Sequence, residues 1–189
     1  MSLILASQSA SRRAMLTAAG VPFEATFAGV DEDAAKAALR DLSPRDLADA
    51  LAELKALKVS ARMPGYLVLG SDSLVALEDG TILDKPIDRA DAAAHLRLMS
   101  GQRHDLWSAA VIAENGQAIW RHVERAKMHV RPLSDAFIET YLNAEWPAIS
   151  GSVGCYRIEG PGAQLFAKIE GSQFTVLGMP LLNVLDFLR

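Results

Sequence analysis

Short apolar runs alternate along this chain with stretches whose apolar residues recur at helical spacing. The run Leu3 to Ala6 predicts a short buried strand, and Ala10 to Ala19 predicts a helix that Gly20 ends. A longer helix is predicted after Ser43, which suits an N-cap and is followed by proline. Its apolar positions have helical spacing: Leu47, Leu51, Leu54 and Leu57. The chain therefore opens as strand and helix in alternation.

The same alternation continues with hairpins inserted. Strands are predicted at Val21 to Val30, Tyr66 to Gly70, a segment through Leu77, Thr81 to Leu83, His104 to Glu114, Gln117 to Val130, Ala163 to Ile169 and Thr175 to Leu177. Helices are predicted at Asp31 to Arg40, Ala90 to Met99, Asp135 to about Asn143 and after Pro180. Asp79-Gly80 and Asn115-Gly116 are hairpin turns, and Ser71-Asp72-Ser73 is expected to be a turn at a strand end. The predicted fold is α/β, or α+β by stricter accounting, with a mixed twisted sheet flanked by helices.

Composition places the chain among globular proteins. Its 189 residues suit a single domain over residues 1–189, with room for a subdomain, and half of the residues are apolar. No apolar run reaches the length of a membrane span. The first apolar run comes before the two arginines, whereas in a signal peptide the positive charges come first. The single Cys155 suits a reducing cytoplasm. The net charge of −4 argues against nonspecific binding to nucleic acid.

Two adjacent arginines, Arg12 and Arg13, fall in the first turn of the first helix. Because the helix dipole makes this end of the helix partly positive, a cation there destabilises the helix by about 0.3–1 kcal/mol unless a bound anion compensates. The hydroxyls of Ser7, Ser9 and Ser11 and the unpaired N–H groups of the helix start add further donors, which favours phosphate as the anion. The alternative is a helix capped by Ser9 with two solvated arginines.

Other charged residues stand at the ends of predicted elements. Asp72 would hold a divalent cation or act as a base toward water, although a turn aspartate that bonds its own backbone is the simpler alternative. Lys55, Lys85 and the Asp31-Glu32 pair are each ordinary surface charges when taken singly. Together with the two arginines they supply the cations and acids that a site for phosphate and metal requires.

The four histidines have no metal-ligand spacing, so surface or strand positions are expected for His95, His104, His122 and His129. The segment from Ser150 to Gly162 is rich in glycine and serine and is the expected functional loop of the C-terminal half. It contains Glu159-Gly160, whose carboxylate could accept hydrogen bonds from the edge of a guanine-type base.

In order and spacing, these residues resemble the Maf-like nucleoside triphosphate pyrophosphatases over nearly the whole chain. That family shows a strand followed by Ala-Ser-x-Ser-Pro-Arg-Arg, an Asp-Glu pair, Leu-Ala-x-x-Lys-Ala, an Asp turn, Lys-Pro, Leu-Ser-Gly-x-x-His and Gly-(Leu/Met)-Pro. The corresponding residues here are Ala6 to Arg13, Asp31-Glu32, Leu51 to Ala56, Ser71 to Ser73, Lys85-Pro86, Met99 to His104 and Gly178 to Pro180. The motif proline is Ala10 in this chain, a position that tolerates many residues.

The resemblance implies a reaction and a role for each matching residue. Water would attack the α-phosphorus of a nucleoside triphosphate, giving the monophosphate and pyrophosphate. Asp72 would be the catalytic acid-base residue, and Glu32 and Asp72 would bind Mg²⁺ or Mn²⁺. The residues implied to hold the triphosphate are Ser7, Ser9, Arg12, Arg13, Lys55 and Lys85. The family also suggests a homodimer.

The resemblance implies that three positions face the base: Ser11, Ser73 and Glu159. The branch selective for thymidine and uridine triphosphates usually shows Pro-Arg-Arg, Ala-Asp-Thr and Ile-Gln-Gly there. The Ser-Asp pair and Glu159-Gly160 resemble instead the branch that acts on 7-methylguanosine triphosphate, although Ser11 replaces its aromatic residue. A carboxylate suits the N–H donors of a guanine edge, which favours this second branch.

Two other functions are open to the same residues. A noncatalytic nucleotide-binding regulator of cell division would need the cations more than the acids, so Asp72 and Glu32 argue against it. A nucleic-acid-binding module is opposed by the acidic balance and by the scarcity of aromatic residues for stacking.

Overall fold

The computed structural model describes residues 2–189, in which helices and strands alternate. Of the predicted strand Val21 to Val30, only Phe23–Ala25 is a strand. The strands are β1 (Leu3–Leu5), β2 (Phe23–Ala25), β3 (Leu67–Leu77), β4 (Ile82–Leu83), β5 (Arg103–Glu114), β6 (Gln117–Val130) and β7 (Phe166–Glu170). The helices are α1 (Ala10–Ala18), α2 (Glu32–Ala38), α3 (Pro44–Ser60), α4 (Arg89–Met99), α5 (Asp135–Glu145), α6 (Gln173–Leu177) and α7 (Leu181–Leu188).

The seven strands form one mixed sheet in the order β2-β1-β3-β5-β6-β7, with β4 paired to β3. Strand β1 runs parallel to both neighbours, whereas β4 pairs antiparallel with β3 and β7 pairs antiparallel with β6. A two-residue turn joins β5 to β6, with both Asn115 and Gly116 at positive φ as such a hairpin requires. The predicted mixed α/β fold is confirmed.

Serine caps begin several helices where the sequence predicts them. The hydroxyls of Ser9, Ser43 and Ser134 each accept a backbone N–H at the start of α1, α3 and α5. Pro44 occupies the first turn of α3, where its missing N–H costs no helical hydrogen bond. These local signals account for the accurate helix starts.

Strand β3 differs from its prediction, because it continues through the residues expected to form a turn. A Cβ at Gly70 would lie 2.2 Å from the carbonyl oxygen of Ala52 and 2.6 Å from the nitrogen of Ala56. Gly70 therefore marks the close approach of α3 to the strand and does not end the strand. Ser71 is buried within it, and its hydroxyl donates to the carbonyl of Ala109 at 2.8 Å. The prediction of a strand end at Gly70 was wrong.

The segment Thr175 to Leu177 is also not a strand. It belongs to the short helix α6, which the Ser172 hydroxyl caps and which Gly178 ends with φ of +111°. The predicted functional loop from Ser150 to Gly162 contains one 3-10 turn at Val153–Cys155 and the start of a second at Pro161–Leu165.

The chain divides into two compact units. The first comprises Met1–Ser73, Trp107–Glu124 and Ser172–Arg189, and the second comprises Leu74–Leu106 and Arg125–Gly171. A core in the first unit has these fully buried members: Leu5, Leu16, Leu69, Ala110, Ile112, Met179 and Val184. The second unit buries Leu96 and Met99 on α4 and Ile138 and Leu142 on α5. Within residues 2–189, every helix is too short or too polar to cross a membrane.

Candidate active site

Successive residues of strand β3 face opposite sides of the sheet, so the polar side chains of this strand divide between the two sides. Gly70 and Asp72 lie on the side packed against α3. Ser71 and Ser73 lie on the other side, where their hydroxyl oxygens are 3.1 and 3.2 Å from the carbonyl oxygen of Gly178. Strand β3 therefore places Asp72 on the side of the sheet that packs against α3, and Ser71 and Ser73 on the side that contacts Gly178.

Arg12, in the first turn of α1, is held by three side-chain hydrogen bonds within the protein. Its side chain is buried, and its Nε donates to the carbonyl oxygen of Gly178 at 2.8 Å. Its Nη1 donates to Ser7 Oγ at 3.3 Å and its Nη2 to Ser73 Oγ at 3.0 Å. Burial lowers the pKa of Arg12, and the negative charges of Asp72 and Glu32 oppose that shift. An arginine nevertheless stays charged in proteins, so this buried cation is permanent.

Gly178 is a structural centre of the site that the sequence marked only as part of a motif. Its carbonyl accepts a hydrogen bond from Arg12, and the hydroxyls of Ser71 and Ser73 lie within hydrogen-bond distance of it. Its backbone, at φ of +111°, is in a region that favours glycine, and an added Cβ would lie 3.3 Å from Ser73 Oγ. Ser108 extends the network, with its hydroxyl 2.9 Å from that of Ser73. Sequence reasoning quoted Ser71 only as part of a motif and missed Ser108, because a buried serine in a strand carries no distinctive signal.

Lys55 joins the two predicted acids. Its Nζ lies 2.5 Å from Asp72 Oδ1 and 2.8 Å from Glu32 Oε1. Lys55 and Asp72 are buried, while the Glu32 side chain is 30% exposed. Lys55 is therefore not a solvated surface lysine and Asp72 is not a turn aspartate bonded to its own backbone, because each has a buried partner of opposite charge.

The two carboxylates suit a divalent cation in part. Both offer hard oxygen ligands and both converge on one positive charge, that of Lys55. Across residues 2–189, however, no group of three or more histidine, cysteine, aspartate or glutamate side chains could hold a metal ion. Such a pair fits Mg²⁺, which commonly takes one or two carboxylates and completes its shell with water and substrate phosphates.

The other predicted site residues divide between the units. Ser9 caps α1, with its hydroxyl 3.4 Å from the nitrogen of Arg12, whereas Ser11 is half-buried and Arg13 is exposed. The structure thus brings Ser7, Ser9, Arg12, Glu32, Lys55, Asp72 and Ser73 into two hydrogen-bonded groups of the first unit. Lys85 and Glu159 are exposed residues of the second unit.

The histidines follow their prediction only in part. Three lie in strands, but His95 is on helix α4. His104 is buried, its Nε2 lies 3.0 Å from the Tyr156 hydroxyl, and burial lowers its pKa to about 4. At neutral pH this buried histidine is therefore uncharged.

Comparison with known proteins gives a consistent result. A model of the family described as Maf-like protein matches residues 2–189. A protein of Sphingopyxis alaskensis named nucleoside triphosphate pyrophosphatase is 54% identical over 191 residues, covering 100% of this chain and 96% of its own length. A protein of Caulobacter vibrioides with the same name is 53% identical over 187 residues, covering 98% of this chain and 93% of its own. The sequence-based prediction of an enzyme of this class is thereby confirmed.

A solved structure of a HAM1 protein from Coxiella burnetii aligns with a TM-score of 0.46 and 13% identity, covering 69% of this chain and 73% of that one. A likeness of this size has no bearing on activity. The family model spans all described residues, and both relatives are matched over nearly their full length. The chain belongs to the Maf-like protein family.

Proposed function

We propose that this chain hydrolyses nucleoside triphosphates to the monophosphate and pyrophosphate. The observation that carries the proposal is the buried Lys55 held between Asp72 and Glu32, with the buried cation of Arg12 in the same unit. Two fixed cations and two carboxylates are the parts that phosphoryl transfer requires. The names of the relatives from S. alaskensis and C. vibrioides support the same activity.

Asp72 is the proposed catalytic acid-base residue. It accepts a proton from the attacking water as the new bond forms between the water oxygen and the α-phosphorus. The bond from the α-phosphorus to its bridging oxygen breaks, and pyrophosphate departs with that oxygen. Lys55 fixes the orientation of the Asp72 carboxylate through the 2.5 Å contact. A base held in this way needs little reorganisation during the reaction.

The cations of the first unit are proposed to bind the triphosphate. Arg12 directs three N–H donors at the protein, and a guanidinium has five, so the contacts with the protein do not exhaust its donors. Arg13 adds an exposed guanidinium at the same helix start. Ser7 and Ser9 fix this turn, since the Ser7 hydroxyl accepts the nitrogen of Ser9 at 3.2 Å. Lys85, an exposed residue of the second unit, is a further cation proposed to bind phosphate, as the resemblance implies.

Asp72 and Glu32 are the residues proposed to hold Mg²⁺ or Mn²⁺. When bound, such an ion neutralises negative charge on the phosphate oxygens. Lys55 already brings the two carboxylates toward one positive charge, so they need little rearrangement to present oxygen atoms to a metal.

The proposed substrate is 7-methylguanosine triphosphate, with Glu159 accepting hydrogen bonds from the base. Glu159 is exposed and therefore accessible to a nucleotide. The alternative within the family is thymidine or uridine triphosphate. Ser73, predicted as a specificity residue, donates to Gly178 and accepts from Arg12, contacts that suit a role in fixing Arg12.

The test is purified protein incubated with Mg²⁺ or Mn²⁺ and a panel of ordinary and methylated nucleoside triphosphates, with pyrophosphate and inorganic phosphate measured separately. Pyrophosphate is the expected product, and no release across the panel would contradict the proposal. Asp72→Asn should abolish release while nucleotide binding persists. Asp41→Asn is the matched control, because that carboxylate is almost fully exposed. Full activity of Asp72→Asn would exclude the proposed role.

The base is tested separately with Glu159→Gln. This variant should lose activity selectively toward triphosphates with a guanine-type edge, because the amide replaces one acceptor oxygen by a donor. An unchanged preference across the panel would show that Glu159 does not read the base.

A further inference from the structure

Three consecutive residues of the second unit are each held by a side chain from a neighbouring element. The Tyr141 hydroxyl donates to the carbonyl of Cys155 at 3.0 Å. The Tyr156 hydroxyl lies 3.0 Å from Nε2 of the buried His104. Arg157, the third residue, is paired with an acid of α5. Residues 155–157 are therefore fixed both through the backbone and through their side chains.

The pair formed by Arg157 and Glu145 is the strongest of these contacts. Arg157 Nε lies 3.0 Å from Glu145 Oε2, and Nη2 lies 3.1 Å from Oε1, so the guanidinium binds both carboxylate oxygens. The Glu145 side chain is only 4% exposed, while that of Arg157 is 38% exposed. A buried carboxylate needs a charged partner in a defined geometry, and Arg157 supplies one.

The chain turns back on Arg157 immediately afterwards. The nitrogen of Gly160 donates to the carbonyl of Arg157 at 3.2 Å. A Cβ at Gly162 would lie 2.4 Å from that same carbonyl oxygen, so glycine permits the return of the chain. Glu159 lies inside this turn, with its side chain exposed and close enough for its charge to influence Arg157.

We propose that Glu145 is a positioning residue for base selectivity: by fixing Arg157, it fixes the turn that presents Glu159. This inference rests on the proposed function, in which Glu159 reads the base. The proposed phosphate binding and hydrolysis assign no role to the ion pair between Glu145 and Arg157, and base selectivity supplies one. A displacement of a recognition group by about 1 Å can change rates by about a hundredfold, so a loosened turn should be visible in selectivity.

The experiment compares Glu145→Gln and Arg157→Lys with the wild-type chain. Each variant keeps much of the side-chain volume but loses the charged, two-oxygen contact. Glu139→Gln is the matched control, since Glu139 lies on the same helix and binds Arg89 through both oxygens at an exposed position. The readouts are kcat/KM for 7-methylguanosine triphosphate and for uridine triphosphate, and amide hydrogen exchange of residues 157–160.

The expected result is a fall of about tenfold or more in the ratio of the two kcat/KM values, the size of one hydrogen bond to a charged group. Amide hydrogen exchange of residues 157–160 should accelerate in both variants, while their kcat/KM for uridine triphosphate stays within about twofold of wild type. In the control variant, kcat/KM for both substrates should stay within about twofold of wild type. An unchanged ratio in both variants, or an equal loss for both substrates, overturns the inference. Wild-type protein that releases no pyrophosphate overturns the proposed function itself, and the role in selectivity with it. If Glu145→Gln fails to fold, the half-exposed Arg157→Lys decides.

Discussion

Replacement of Gly178 by alanine tests whether its carbonyl organises the phosphate site. The added Cβ would lie 3.3 Å from Ser73 Oγ and 3.6 Å from Arg12 Nε. Both atoms are hydrogen-bonded to the Gly178 carbonyl, at 3.2 and 2.8 Å. The substitution should therefore strain the backbone and displace the Arg12 guanidinium together.

The two effects have different sizes and different readouts. A left-handed backbone conformation costs a residue with a Cβ about 1–2 kcal/mol. For a chain of this length, that loss lowers the melting temperature by about 2–8 °C. Loss of the hydrogen bond from Arg12 Nε to the carbonyl would remove about 1.5–3 kcal/mol of charge-assisted interaction. If that energy is lost from triphosphate binding, the affinity falls by about ten- to a hundredfold.

Gly20→Ala separates these contributions. Gly20 follows α1 at φ of +71°, and a Cβ there would meet no atom within 4 Å. It carries a comparable backbone cost without any contact to Arg12. Thermal unfolding and equilibrium binding of a nonhydrolysable triphosphate should show both variants destabilised but only Gly178→Ala impaired in binding. Equal affinity in the two variants would show that the Gly178 carbonyl does not position Arg12 for triphosphate binding.

Two further predictions concern buried charge and pH. Lys55→Met should lower the free energy of unfolding by about 3 kcal/mol, because it removes the cation that binds the buried Asp72 directly. Lys58→Met, on the exposed face of α3, removes only an exposed hydrogen bond to the carbonyl of Gly29 and should change the free energy of unfolding by less than about 1 kcal/mol in denaturant titrations. Equal losses in the two variants would contradict the assignment of Lys55. The pKa of His104 is lowered from 6.5 to about 4 in the folded state, so the unfolded chain binds more protons between these two pH values. The free energy of unfolding should therefore fall as the pH drops through this window, by roughly 3 kcal/mol in total. Unfolding measured from pH 7 to pH 4 should show this slope in the wild type and lose it in His104→Gln; an identical slope in both would exclude His104 as its origin.

The sequence predicted the fold where the decisive signals are local. Ser43 and Pro44 define the start of α3, and Asn115-Gly116 defines the β5 to β6 hairpin, because a cap or a turn depends on a few neighbouring residues. The errors lie where tertiary packing decides. Gly70 looks like a strand terminator in isolation, but it is a glycine because α3 packs directly on it. In the same way, the apolar run through Leu177 is too short for its periodicity to distinguish a strand from one helical turn.

The candidate site was predictable in its side chains but not in its backbone. The resemblance assigned Asp72 and Lys55 as residue types at motif positions, and the structure adds that Lys55 binds Asp72 directly. The role of Gly178 was hidden, because it acts through a carbonyl that every residue possesses. Only its backbone conformation distinguishes it, and that conformation follows from the end of α6, a helix that the sequence pattern did not reveal.

The adjacent arginines show that the sequence also does not reveal which of two neighbouring charged side chains is buried. At about 100° per residue, neighbours on a helix point in clearly different directions, so Arg12 and Arg13 cannot share one environment. The sequence gives no reason to prefer either as the buried cation. Arg12 is selected because a carbonyl 166 residues away lies within 2.8 Å of its Nε, while Arg13 remains exposed. An anion at this helix start would therefore meet one guanidinium whose orientation is fixed and one that is free to adjust, so substitution of Arg12 should impair triphosphate binding more than substitution of Arg13.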